Sequence, residues 1–249
     1  MVQKTAITDI FKSLAEVESR FGIRRTEDEQ FFGEWYENLP QITDEEKASL
    51  DVIRRRYLYH LADGNLTEGT VTLLIGSPIL EKAGFYDYPY KMRGEASIEI
   101  VFDADEEEET LKGRIDILVL QNQFWVILLE SKRTIAVPIQ MRYNIISSRV
   151  GARQCRAPTG VPHVTENCYT ISVMSALPQT LAYMMANPQP DKPIFGMMTN
   201  GDGIIFVKLT QQDRPQYDIS RVFSPAPLQN ELYTVLQILK RIGQIIVSS

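Results

Sequence analysis

The chain has 249 residues, 44% of them hydrophobic, and carries 26 Lys and Arg against 32 Asp and Glu for a formal net charge of −6. That length and apolar content permit a full core, most simply one domain with appended helices, and the acidity argues against strong nonspecific binding to nucleic acid. No apolar run approaches the roughly 18 residues that span a bilayer, and no basic-then-apolar signal segment opens the sequence, so no membrane association is expected and a cytoplasmic protein is. Cys155 and Cys168 lack metal-type spacing and read as free thiols, and with His60 and His163 as the only histidines a zinc site has nothing to be built from.

Residues 1–62 read as helical. Ile10, Leu14, Val17 and Phe21 recur at helical spacing, and Thr43 with Glu46 forms a capping box ahead of Leu50, Ile53, Tyr57 and Leu61. Arg54, Arg55 and Arg56 on that second helix read as a solvated face before they read as phosphate contacts. Phe31, Phe32, Trp35 and Tyr36 make an aromatic knot that belongs to the core. Residues 65–84 predict a further helix, bent or divided at Gly76 to Pro78 and stopped by Gly84.

Ala96 to Phe102 alternates as a strand, with Ile98, Ile100 and Phe102 on one face and Glu99 on the other. The run DADEEEE at 103–109 follows, and its six acids equal the whole net charge. It reads as a solvated hairpin loop; a calcium loop would need ligands alternating around a Gly turn, and none is present.

The stretch 113–133, GRIDILVLQNQFWVILLESKR, predicts two doubly buried strands joined by a tight turn. Into it the sequence places Asp116, Glu130 and Lys132, where a structural core would want Val or Leu, and such charges need a partner. Glu130 and Lys132, two apart in a strand, share a face. A three-residue connection at 121–123 would set Asp116 opposite Leu128 with Glu130 as its diagonal neighbour. The two carboxylates would then lie roughly 7 Å apart, within reach of one divalent ion. A two-residue loop would put them on opposite faces. The alternative is a buried ion pair between Lys132 and one carboxylate, with the other solvated.

From Lys132 to Thr165 the chain carries Lys132, Arg133, Arg142, Arg149, Arg153 and Arg156 with no acid, which is where phosphate contacts are expected. Gly151, Pro158, Gly160 and Pro162 make that segment long and irregular. Ser175 to Asn187 reads as a helix with Gln179 and Tyr183 four apart on one face. Ile194 to Leu209 predicts a hairpin around Asn200-Gly201-Asp202-Gly203. The stretch from Leu228 to Ile246 repeats Leu232, Val235, Leu236, Leu239 and Ile242 at helical spacing, to close the core or to pair with a second copy or a partner subunit.

An Asp, 13 residues, then Glu-x-Lys resembles the PD-(D/E)XK nuclease superfamily. The nearer resemblance is to the nuclease domain at the start of the motor subunits of type I restriction enzymes, where a Gly-Arg-x-Asp strand precedes an apolar strand ending in Glu-x-Lys. Here those residues are Gly113, Arg114, Asp116, Glu130 and Lys132, and Gln179 with Tyr183 matches a second mark, Gln-x-x-x-Tyr. The Pro that names the superfamily is absent, since Ile115 precedes Asp116.

The resemblance implies a restriction endonuclease-like α+β or α/β fold, a mixed β-sheet flanked by helices. The resemblance covers roughly Glu68 to Leu209 and leaves the amino-terminal helices and the last helix unexplained; the division expected is 1–64 as a helical extension packed on the core and 65–249 as the nuclease domain with its C-terminal helix. It implies hydrolysis of DNA phosphodiester bonds with Mg²⁺ or Mn²⁺ held by Asp116, Glu130 and the Ser131 carbonyl. Lys132 would act on the attacking water, and Gln179 and Tyr183 would position Lys132. Glu68 matches the Glu that the related nucleases carry on the helix before the sheet, though a carboxylate there is equally favoured by the helix dipole. Glu99 competes with it for the place of third carboxylate. Arg133, Arg142, Arg149, Arg153 and Arg156 would contact DNA. No Gly-x-x-x-x-Gly-Lys-Ser/Thr loop occurs, so no nucleotide triphosphate site and no motor are expected. The rival expectation is a catalytically inactive subunit of the nuclease fold that binds DNA or another protein.

Overall fold

Eight described strands form one mixed sheet with helices on both faces, in a computed structural model that describes residues 3–104, 107–122, 124–133, 173–212, 214–226 and 230–248. This is the α+β arrangement expected. The strands are β1 (Gln3–Ala6), β2 (Arg24–Arg25), β3 (Tyr90–Ala104), β4 (Glu107–Gln121), β5 (Phe124–Ser131), β6 (Ile194–Thr199), β7 (Ile204–Thr210) and β8 (Gln216–Ile219). They run in the order β1-β4-β5-β6-β7-β8-β2, with β3 pairing β4.

One feature of this topology makes the site. On one side β4 is antiparallel to β3 along nearly its whole length. On the other side its first part pairs in parallel with β1, ending at Ala6↔Lys112, and its last part pairs antiparallel with β5, starting at Ile117↔Leu129. Residues 113–116 sit in the gap between those two partners, where in-plane backbone groups of the neighbouring strand are open to side chains.

The register corrects the sequence expectation. Leu118, not Asp116, stands opposite Leu128, and Gln121↔Phe124 closes a two-residue connection whose Asn122 has φ of 59°. Such a turn alone would throw Asp116 and Glu130 onto opposite faces. A bulge between Val119 and Leu120, where Val119 pairs Ile127 and Leu120 pairs Trp125, inserts Val126 as an extra residue and restores the parity. Carried one step past Ile117↔Leu129, the register brings Asp116 beside Glu130.

The acidic run also departs from expectation. Pairing continues through Phe102↔Glu109, Asp103↔Glu108 and Ala104↔Glu107, so strand backbone occupies most of what reads as a loop. The amino-terminal segment is not wholly helical, because β1 and β2 join the sheet beside β4 and β8. Its first helical repeat is split: α1 (Ile7–Ile10) ends before Ser13, which caps α2 (Leu14–Phe21) through a capping box with Glu16, and Gly22 at φ of 63° ends it.

Helix α3 (Asp44–Leu61) starts at the Thr43–Glu46 capping box and buries Leu50, Ile53, Tyr57 and Leu61, as its spacing predicts. The next helix runs from α4 (Glu68–Val71), capped by Thr67, through a π-helical turn at Thr72–Gly76 into α5 (Ser77–Lys82). A 3₁₀ turn at Val173–Ala176 leads into α6 (Leu177–Met185), and α7 (Leu232–Ser248) closes the chain.

Two cores result. Leu129, Met197 and Phe206 face α3, α4, α5 and α7, while Leu118, Leu128 and Ile205 face α1, α2 and α6. The periodic residues of α7 lie in the first core, and Met197 and Met198 are fully buried. Of the aromatic knot, Phe32 is buried, whereas Tyr36 stays 43% exposed and stacks edge-on against Trp35.

Candidate active site

The end of β5 and the unpaired stretch of β4 carry the charged residues that the sequence singles out. Past Ile117↔Leu129 the Ser131 backbone N–H would lack a ladder partner, and the Asp116 Oδ2 takes its place at 2.7 Å. The Lys132 N–H donates to the Thr199 carbonyl at 2.7 Å, which fixes the other side of the strand end against β6.

The Lys132 ammonium donates to Glu130 Oε1 at 2.9 Å and to Gln179 Oε1 at 2.8 Å. The Gln179 amide then donates to the Tyr183 hydroxyl at 2.6 Å, and the Arg114 N–H approaches that oxygen at 3.4 Å. Gln179 and Tyr183, one turn apart on α6, thus tie the ammonium to the backbone of β4. Gly113 makes room for this: a Cβ there would strike the Tyr183 ring and lie 2.8 Å from Ile7 Cδ1. The Gly-Arg-x-Asp pattern therefore has a packing reason for its Gly, while the Arg114 side chain is exposed and reaches Glu95 at 3.5 Å.

The electrostatics are unbalanced toward negative charge. Glu130 is 3% exposed, and its Oε2 is buried with no hydrogen-bond partner among the described residues. Burial pushes its carboxyl up to about 8, against the pull of Lys132 and with the charges of Asp116 and Glu68 adding to the rise. Burial likewise raises Asp116, opposed by the Ser131 N–H and Lys132 and helped by Glu68. The Tyr183 phenol is raised by burial and then by Glu130. Among the described residues one ammonium serves two desolvated carboxyls, which leaves the charges of the set unmatched there. A hard divalent cation is the partner that this donor set could take, since carboxylate oxygens are its preferred ligands.

The other sequence candidates fall apart from one another. Glu68 is the first residue of α4, exposed, and close enough for its charge to act on both Asp116 and Glu130. Glu99 does not join them: it pairs with Lys112 across β3 and β4 in a 2.5 Å ion pair, because the register puts Gly94 and Ala96 beside the Asp116 stretch instead. Among the described residues, no group of three or more His, Cys, Asp or Glu is gathered tightly enough to hold an ion. The Ser131 side chain is fully buried and meets Thr72 at 2.8 Å, on the face away from Glu130. Arg133 is exposed directly after Lys132. Arg142, Arg149, Arg153 and Arg156, like Cys155, His163 and Cys168, lie outside the described residues.

Sequence reasoning missed Thr72 and Thr199. Neither carries a motif, and each acts through a contact that only the close approach of a helix or a parallel strand creates. No helix among the described residues is long and apolar enough to cross a membrane.

No family profile and no curated protein matches the chain. Among solved structures it is similar to a fragment assigned to the HsdR subunit of a type I restriction enzyme from Vibrio vulnificus YJ016, with a TM-score of 0.33 and 15% identity. The match covers 72% of this chain and 26% of that one, so the chain spans about a quarter of that structure's length. A likeness this slight leaves the reading of the site to its own geometry.

Proposed function

We propose that the chain is a Mg²⁺-dependent nuclease that hydrolyses DNA phosphodiester bonds. The observation that carries the reading is the buried Glu130 Oε2, without a hydrogen-bond partner among the described residues, beside a second desolvated carboxyl on Asp116. A buried polar atom left unpaired costs about 1–3 kcal/mol, and more when charged, so an evolved core would replace it unless something else binds there. Asp116 and Glu130 would hold the cation, with the Ser131 carbonyl beside them. Mg²⁺ or Mn²⁺, when bound, supplies Lewis-acid activation of a water and neutralises charge on the phosphate.

The chain's own residues then have distinct tasks. Lys132 has three N–H donors, two of which go to Glu130 and Gln179, leaving the third to orient the attacking water or to meet the developing negative charge. Gln179 and Tyr183 hold the ammonium in place by fixing its direction from α6. Glu130 Oε1 anchors the same ammonium from the strand side. Arg133 and the basic run through Arg142, Arg149, Arg153 and Arg156 would take the DNA phosphates.

The test is a calorimetric titration of Mn²⁺ into the wild type and Asp116→Ala, followed by incubation of plasmid and single-stranded DNA with Mg²⁺ or Mn²⁺. The proposal expects one saturable site that Asp116→Ala weakens, and metal-dependent cutting that it abolishes. Metal binding without cutting would favour the inactive nuclease-fold subunit, and no metal binding would leave only a structural ion pair.

A further inference from the structure

Three consecutive arginines on α3, Arg54, Arg55 and Arg56, have different surroundings. Arg54 turns toward the segment before α7, where its Nε donates to the Pro225 carbonyl at 2.6 Å. On the same flank Asp51 accepts from the Asn230 amide at 2.9 Å and from the Tyr233 hydroxyl at 2.8 Å. Successive helical residues are about 100° apart, so Arg55 and Arg56 leave that flank, and both are exposed with no ion pair among the described residues. Tyr59 stands one turn further on, beside both of them at i+4 and i+3. Its ring is 70% exposed and meets the His60 ring edge-on at 5.2 Å. The line from Arg55 to Tyr59 lies opposite the buried line of Ile53, Tyr57 and Leu61, so core packing does not explain an aromatic ring there.

This face borders the candidate active site. Tyr57, next to Arg56, points inward and donates to Asp202 Oδ1 at 2.8 Å in the turn between β6 and β7. The same turn follows Thr199, whose carbonyl accepts from the Lys132 N–H at 2.7 Å. Beyond Leu61 the chain leads to Glu68 at the start of α4, whose charge acts on Asp116 and Glu130. The acids of the site repel phosphate, and the whole chain is acidic at −6, so a substrate strand gains most from cations set beside the carboxylates. Arg55 and Arg56 supply them.

We propose that this face of α3 binds single-stranded DNA, with phosphates on Arg55 and Arg56 and an unpaired base stacked on the Tyr59 ring. Cations beside an exposed aromatic face are the arrangement that holds single strands, because an unpaired base offers a π-face that a duplex keeps within its own stack. The inference deepens the nuclease reading and rests on it for the fate of the strand, while the binding itself is read without cutting.

The experiment is fluorescence anisotropy of labelled oligo-dT, alone and paired with oligo-dA, in EDTA over a range of NaCl concentrations. The proteins are wild type, Arg55→Ala/Arg56→Ala, Tyr59→Ala and Tyr59→Phe. Each phosphate contact to a single strand contributes about 0.7 to the slope of log affinity against log salt, so the arginine pair should lower that slope by about 1.4. Tyr59→Ala should weaken binding of the single strand about tenfold and of the duplex by less than about twofold, whereas Tyr59→Phe keeps the ring and should match wild type. The three side chains lie on the solvent face, so urea unfolding of every variant should overlay wild type. In Mn²⁺, single-turnover cleavage of the strand should need more of each weakened protein for half-saturation and still reach the wild-type rate.

A salt slope unchanged by the arginine pair overturns the inference, as does a Tyr59→Ala loss shared equally by strand and duplex, or a wild type that binds only duplex or neither. In each of these cases metal-dependent cutting of plasmid leaves the nuclease reading standing. Binding that follows the expectation without any cutting sustains the surface on α3 and removes the nuclease reading.

Discussion

Replacing Glu130 by Gln in the metal-free protein should remove a pH-dependent cost from the fold. The Glu130 carboxyl is raised from 4.5 to about 8, chiefly by burial. The folded protein therefore binds more protons at this group than the unfolded chain between those values, and stability falls as pH rises through that window. Each unit is worth about 1.4 kcal/mol, so between pH 6 and pH 9 the metal-free wild type should lose roughly 2–3 kcal/mol that Glu130→Gln does not. Glutamine fills the same space and can still accept from Lys132, so the comparison leaves the packing largely unchanged. Asp116 shifts in the same direction but is common to both proteins.

The assay is urea unfolding in EDTA at several pH values, followed by fluorescence of Trp35 and Trp125, with the difference between the two proteins plotted against pH. Saturating Mn²⁺ should flatten or reverse the slope for wild type alone, because the cation binds the ionised carboxylates and stabilises the folded form by mass action. A difference that stays constant from pH 6 to 9 in EDTA would refute the reasoning, for it would mean that Glu130 is not a desolvated carboxyl.

Lys132→Arg should lose most single-turnover cleavage while Mn²⁺ affinity stays near wild type, because a planar fork cannot replace the compact ammonium held between Glu130 and Gln179; near wild-type cutting would remove Lys132 from the mechanism. Gly113→Ala should cost about 1–3 kcal/mol in chemical unfolding and also depress cleavage, since the added methyl displaces the Tyr183 ring and with it Gln179; an unchanged rate would show that the α6 pair does not position the ammonium. Gly201→Ala should destabilise by about 2 kcal/mol or more, because Gly201 has φ of 84° and its Cβ would lie 2.6 Å from Tyr57 Cε2; a thermal shift assay reads it.

The sheet centre was legible because its chemistry is local. Apolar runs of strand length, the Asn-Gly-Asp-Gly turn between β6 and β7, and the capping box of α3 each declare themselves within a few residues. The Asp116, Glu130 and Lys132 set was legible because charges in an otherwise apolar hairpin contradict their surroundings. What depends on distant partners was not. The bulge at Val126 has no turn residue to announce it, yet it decides which face Glu130 takes. β1, β2 and β8 are two to four residues long and exist only because a neighbouring strand offers its edge. The sequence offers Ser131 only through its carbonyl, and the burial of its side chain against Thr72 appears only once the helix lies on β5.

Whether Asp116 and Glu130 hold a cation that cuts DNA is read by single-turnover cleavage of a supercoiled plasmid by the wild type in Mg²⁺, in Mg²⁺ with excess EDTA, and by Glu130→Gln in Mg²⁺. Nicking or linearisation is expected in the first reaction and none in the other two, with Glu130→Gln at least as stable as wild type by urea unfolding in EDTA at pH 9. Cutting that persists in EDTA, or in folded Glu130→Gln at the wild-type rate, would remove the two carboxylates and their cation from the reaction.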